Sequence, residues 1–148
     1  MEKIIFKNYP DTTTPLSAEN LNLLQTYIEN AINNTLPIEL YSDADGSNTD
    51  ITLSDSTENY SYLELFYSYG ATGPINSTKV YSPNNKKIIL QINHLSNGFL
   101  YPTIAIYDIS NDTITKTEEE RWRISTSGNA TRTTNTTAIY VTKVIGYK

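Results

Sequence analysis

Aromatic rings flanked by arginine and carboxylate carry the clearest binding chemistry in this sequence. Trp122 stands between Arg121 and Arg123, and Tyr101 and Tyr107 lie close to Asp108. An aromatic face can stack on a sugar ring while guanidinium and carboxylate groups hydrogen-bond its hydroxyls. Trp122, Tyr101, Tyr107, Asp108 and Arg123 are therefore candidate glycan contacts. Strict alternation along a strand favours a competing arrangement for Trp122, with the indole filling a core and both arginines pointing to solvent on the opposite face. That arrangement carries the larger weight.

Catalytic and metal chemistry find less support. There is no cysteine, which excludes disulfides, thiolate metal sites and cysteine nucleophiles. His94 is the single histidine and ends an apolar run, with no nucleophile or ligand spacing around it. Sixteen acids make some carboxylate pair inevitable, so no hydrolytic pair stands out. The run Glu118-Glu119-Glu120 reads as a charged strand edge or turn that discourages edge-to-edge pairing. Asp43, Asp45 and Asp50 surround Gly46, but an EF-hand loop needs glycine sixth and glutamate twelfth; counting from Asp43, Gly46 is fourth and Ser54 twelfth. A solvated hairpin loop is the preferred reading of residues 43–50. The expectation is a non-enzymatic protein with no catalytic residue, no metal site and no cofactor.

Net charge is −5, which argues against nucleic acid or an anionic membrane as the main partner. The distribution says more than the sum. Residues 8–78 hold ten acids and no Lys or Arg, whereas residues 79–148 hold nine basic residues against five acids. The acidic part either packs near the basic part, within or between subunits, or faces a cationic partner; a solvated acidic face is the default. The start of the sequence has three consecutive apolar residues, Ile4, Ile5 and Phe6, which is short of a signal peptide or a membrane anchor.

Two kinds of element must position these side chains. A helix is predicted over 18–34, with Ser17 as N-cap, Leu16 and Leu21 spaced as a hydrophobic staple, and Glu19 in the first turn. Leu21, Leu24, Ile28 and Ala31 alternate three and four apart, and Ile32 widens the stripe. A helix this short is marginal alone, so packing on its own sheet or against symmetry mates must hold it. From Pro37 the apolar period falls to two. Strands are predicted at 38–42, 51–54, 60–69, 77–82, 86–93, 103–110, 113–117, 121–125 and 138–147, with hairpin turns at Pro83-Asn84-Asn85 and Asn111-Asp112. The expected architecture is mainly β: an antiparallel sandwich or jelly-roll-like domain over 37–148, preceded by an extended segment and one short helix over 1–36.

The segment around Pro15, Ala18, Glu19, Asn20, Leu21 and Asn22 resembles an N-terminal motif of tail and baseplate proteins of phages that infect low-GC Gram-positive bacteria. Residues 40–68 resemble the strand–loop–strand pattern of β domains in that class, and residues 139–148 are similar to its C-terminal strands. The resemblance covers about half of the chain. It implies a virion tail component made in the host cytoplasm, commonly a homotrimer, which attaches to a host cell-surface saccharide or builds the baseplate with other tail proteins. In that setting Leu21, Leu24, Ile28, Ala31 and Ile32 are the expected oligomer contacts. The chain is short for the class, with no long shaft between helix and β domain, so a structural adaptor is the alternative to a receptor-binding protein.

Overall fold

The computed structural model describes residues 18–148, with side chains from Asn20 onward. The predicted cap at Ser17, the staple residue Leu16 and the segment 4–6 lie outside the described residues. The chain divides into two compact units, Met1–Leu36 and Pro37–Lys148.

In the first unit α1 (Ala18–Asn33) forms where the sequence predicts it. Its last turn closes through Asn34 N–H to Asn30 O and Leu36 N–H to Ile32 O, before Pro37 ends the pattern. Leu21, Ile28 and Ile32 are each about half exposed.

The second unit is an antiparallel β-sandwich. Its strands are β1 (Ile38–Ser47), β2 (Ile51–Thr52), β3 (Tyr62–Tyr69), β4 (Ile75–Tyr81), β5 (Lys86–Ser96), β6 (Phe99–Ser110), β7 (Thr113–Ile124), β8 (Ala130–Thr134) and β9 (Ile139–Tyr147). One sheet runs β1-β9-β3-β4; the other runs β2-β7-β6-β5, with β8 beside the far half of β7. Leu63, Leu65, Tyr67, Ile139, Val141 and Val144 of the first sheet face Leu90, Ile92, Ala105 and Tyr107 of the second in one core. Each fully buried aliphatic side chain there contributes about 1.5–3 kcal/mol relative to exposure. Gly146 lets the sheet close over Tyr60, because a Cβ there would come within 2.5 Å of that ring.

Several elements differ from the sequence expectation. Pro83-Asn84-Asn85 is not a hairpin turn: β4 lies at the edge of one sheet and β5 at the edge of the other, so the turn carries the chain between sheets. Residues 43–47 are not a hairpin loop but the irregular end of edge strand β1, bulged between Ser42 and Ser47 against β9. The hairpin at Asn111-Asp112 forms as expected, with Ser110 opposite Thr113.

The largest correction lies in β7. Residues 113–117 and 121–125 are parts of one strand, interrupted by a bulge where Ile106 pairs with Glu118 and Tyr107 with Lys116, leaving Thr117 unmatched. Ile114 faces the core before the bulge, and Glu119 faces it afterwards at 2 % exposure. One extra residue exchanges the two faces of the rest of the strand. Trp122 is thereby turned out of the core, while Arg121 and Arg123 point inward.

Candidate functional site

The two sheets differ in length, and the candidate site occupies the difference. The inward positions of β5 are Ile88, Leu90 and Ile92, all buried, then His94, which is part-exposed. On β6 the buried inward positions end at Thr103, and Tyr101 and Phe99 beyond it are part-exposed. The facing sheet ends at Tyr69 and Ile139, so the tips of β5, β6 and β7 overhang with their inner face open. Asn97-Gly98 makes the tip possible: both residues have positive φ (49° and 76°) and form the two-residue turn joining Ser96 to Phe99.

Side chains from both sheets meet at this mouth. The Tyr69 ring stacks on His94, with centroids 4.2 Å apart and planes 8° from parallel. Arg121 Nη1 donates to the Tyr69 hydroxyl at 3.1 Å, and its guanidinium lies 5.7 Å from the Tyr101 ring centroid. Arg123 sits 3.7 Å over Phe99, which in turn lies 6.4 Å from Tyr101. The guanidiniums are held by rings rather than carboxylates, so their outer N–H groups keep donor capacity for an oxygen-rich ligand.

The wall on the β8–β9 side is fixed by Glu119. Its Oε1 accepts from Thr136 Oγ1 at 2.6 Å and from Ala138 N–H at 2.5 Å; its Oε2 accepts from Ile139 N–H at 3.3 Å and from Lys116 Nζ at 3.3 Å. Glu119 therefore corrects the expectation of a charged strand edge for this triplet. It is a buried carboxylate that pins the crossing between the sheets.

Of the five candidate glycan contacts, Tyr101 and Arg123 belong to the mouth. Trp122 lies on the other face of β7, with Arg132 5.9 Å from its ring and Arg132 paired to Glu120. Tyr107 is fully buried in the core, where burial first and the Glu119 charge second push its hydroxyl pKa up, so it is out of reach of a surface ligand. Asp108 is on the outer face at the far end of the sheet and pairs with Lys87 at 3.6 Å. Tyr69, His94, Phe99 and Arg121 complete the cluster and are absent from the sequence-derived set. The Asn97-Gly98 turn is a signal for His94 and Phe99, because it aligns Phe99 and Tyr101 opposite Ser96 and His94; no signal in the sequence joins Tyr69 and Arg121 to them.

Two other places were candidates by chemistry. A cavity of about 640 Å³ lies in the edge of β7 between β2 and β8 and is lined by Asp50, Lys116, Glu119, Asn135 and Thr136. It has no aromatic lining, and the Glu119 oxygens are already occupied by protein donors. On the outer face of the shorter sheet, Tyr62 stacks on Tyr147 (4.3 Å, 7°) and tilts against Tyr81 (5.3 Å), with Lys79 Nζ 5.2 Å from the Tyr62 centroid. Among the described residues no group of three His, Cys, Asp or Glu converges as a metal site; Asp50 instead accepts from Lys116 N–H.

No known protein-family model matches the chain, and no curated protein is similar to it in sequence. No helix among the described residues is long and apolar enough to cross a membrane.

Proposed function

We propose that this chain is a non-enzymatic attachment protein of a phage tail that recognises a cell-surface saccharide through the mouth of its β-sandwich. The observation that carries the reading is the cluster of Tyr69, His94, Tyr101, Phe99, Arg121 and Arg123 on an uncovered inner face. It combines stacking surface with unspent donors, the two requirements for holding a sugar ring. Placement supports the same reading. Ile38, where the chain enters the β unit, pairs with Gly146 at the end of the sheet opposite Tyr69. Within the β unit the entry point and the mouth are therefore at opposite ends. The stripe Leu21, Leu24, Ile28, Ala31 and Ile32 supplies the contacts for a homotrimer, in which three mouths bind by avidity.

Binding of the full chain to whole cells and extracted wall polysaccharide of low-GC Gram-positive bacteria tests this proposal. Binding that Arg121→Ala removes without loss of folding is the expected result; no attachment to any such surface contradicts it. Light scattering tests the trimer.

A structural adaptor is the second reading, favoured by the outer face of the longer sheet. Leu95 and Leu100 are opposite one another there, 72 % and 39 % exposed, and Ile124 lies opposite Leu100. Exposed apolar side chains grouped this way suit a protein partner. Co-purification with another tail protein, abolished by Leu95→Glu, would favour this reading.

A further inference from the structure

Tyr69 crosses the mouth as a pillar. It rises from the end of β3 in the shorter sheet, and two residues of the longer sheet hold it: Arg121 of β7 at its hydroxyl and His94 of β5 against its ring. Its side chain is therefore fixed from two directions and cannot swing aside without losing both contacts. A separate cavity lies on each side, and Tyr69 lines both.

The two cavities differ in chemistry. One, about 360 Å³, is lined by Arg121, Thr136, Thr137 and Tyr140, which offer hydroxyls and a guanidinium. The other, about 480 Å³, is lined by Pro74, Asn76, Gln91, Asn93 and His94, of which Asn76 and His94 present a carboxamide and an imidazole from the inner faces of their strands. It also borders β5, an edge strand whose alternate backbone N–H and C=O groups face out of the ladder. Both volumes fall at the lower end of the ~300–1,000 Å³ range of small-ligand sites. Neither side repeats the other, so a ligand that fills both presents different groups to each.

From this geometry we infer that the mouth takes a linear saccharide of at least two units, one on each side of Tyr69, and not a single terminal sugar. The inference rests on the saccharide reading above and adds the length and the asymmetry of the ligand. A ring in one cavity meets donors of the hydroxyl and guanidinium type. Its neighbour across the pillar meets the Asn76 carboxamide, which donates and accepts at once and so suits adjacent hydroxyls or an acylamino group.

The test uses the full chain and size-fractionated fragments of wall polysaccharide from a bound Gram-positive strain, as mono-, di- and tetrasaccharides. The fragments are titrated against wild type, Tyr140→Phe on one side of the pillar and Asn76→Ala on the other. Affinity is expected to rise about tenfold or more from mono- to disaccharide, as a second set of hydrogen bonds forms. Each variant is expected to weaken tetrasaccharide binding by about fivefold to tenfold. Asn76→Asp, which removes the carboxamide donor and keeps the shape, replaces Asn76→Ala if thermal unfolding shows that the latter does not fold. A monosaccharide that binds as tightly as the tetrasaccharide, or sensitivity to one side only, overturns the inference and leaves the saccharide reading standing. No binding at any length overturns both.

Discussion

β3 carries an aromatic cluster at each end, and the two are built on different principles. At the entry end Tyr62 lies directly opposite Tyr81 on β4 and Tyr147 on β9, so the three rings form a row across adjacent strands of one sheet. Their partners are one another, Lys79 over Tyr62, and Glu64 accepting from the Tyr147 hydroxyl at 3.2 Å. Such cross-strand pairs are the ordinary unit of sheet stabilisation. At the mouth, Tyr69 meets His94 and Arg121 from the opposite sheet, and the rings beyond have no facing sheet at all. Aromatic content alone therefore does not mark a site. A cluster assembled from two sheets and left uncovered is a better candidate than a row that completes its own sheet.

The largest expected effect sharpens what holds the mouth open. Glu119→Ala strips Thr136, Ala138, Ile139 and Lys116 of their shared acceptor, and breaking a buried ion pair of this kind costs about 3–5 kcal/mol. Denaturant unfolding reads that loss directly. Next comes Arg121→Ala, which removes a charge-assisted donor from the mouth and is expected to weaken saccharide binding about tenfold or more. Its cost in stability should stay within about 1 kcal/mol, since the guanidinium is only part-buried. Tyr62→Ala reverses that pattern, with about 1–2 kcal/mol lost from the sheet and saccharide binding unchanged. If Tyr62→Ala abolished binding and Arg121→Ala did not, the roles of the two clusters would be exchanged.

The smallest effect concerns pH at the entry end. The Tyr60 hydroxyl donates to Asp55 at 2.8 Å and, with the Ser56 N–H and Asn59, holds that carboxyl below the ordinary aspartate value of 3.8. A depressed folded pKa gives stability present above pH ~4 and lost as pH falls through the folded value. Burial, then the Asp55 bond, pushes Tyr60 up to about 12, so its contribution is complete below pH 10 and lost as pH rises through 12. In Asp55→Asn the tyrosinate absorbance of Tyr60 should appear at lower pH than in wild type.

Much of the fold was legible in the sequence, and the misses share a cause. Apolar spacing locates β3 and the helix because each keeps one period over most of its length, and β9 despite a bulge at Thr142 because Val141 and Val144 mark the slip. It failed at β7 because a bulge at Thr117 changes the parity within a polar run, where no apolar residue marks the slip. Unbroken alternation favours the core for Trp122, and the same slip hides Arg121. The strands predicted at 86–93 and 103–110 fall short of β5 and β6, because the apolar alternation gives way to polar and aromatic residues toward the Asn97-Gly98 turn. Tyr69 and His94 could not be joined from sequence at all, since their stacking depends on how the two sheets face each other and not on spacing along the chain.

The most direct test of the division between a binding mouth and a structural row is a paired titration. Wild type, Tyr69→Ala and Tyr62→Ala are titrated calorimetrically with the same wall tetrasaccharide, and each is unfolded in parallel. Tyr69→Ala is expected to stay folded and lose binding, while Tyr62→Ala is expected to be less stable and to bind like wild type. Equal binding by wild type and a folded Tyr69→Ala would contradict that division.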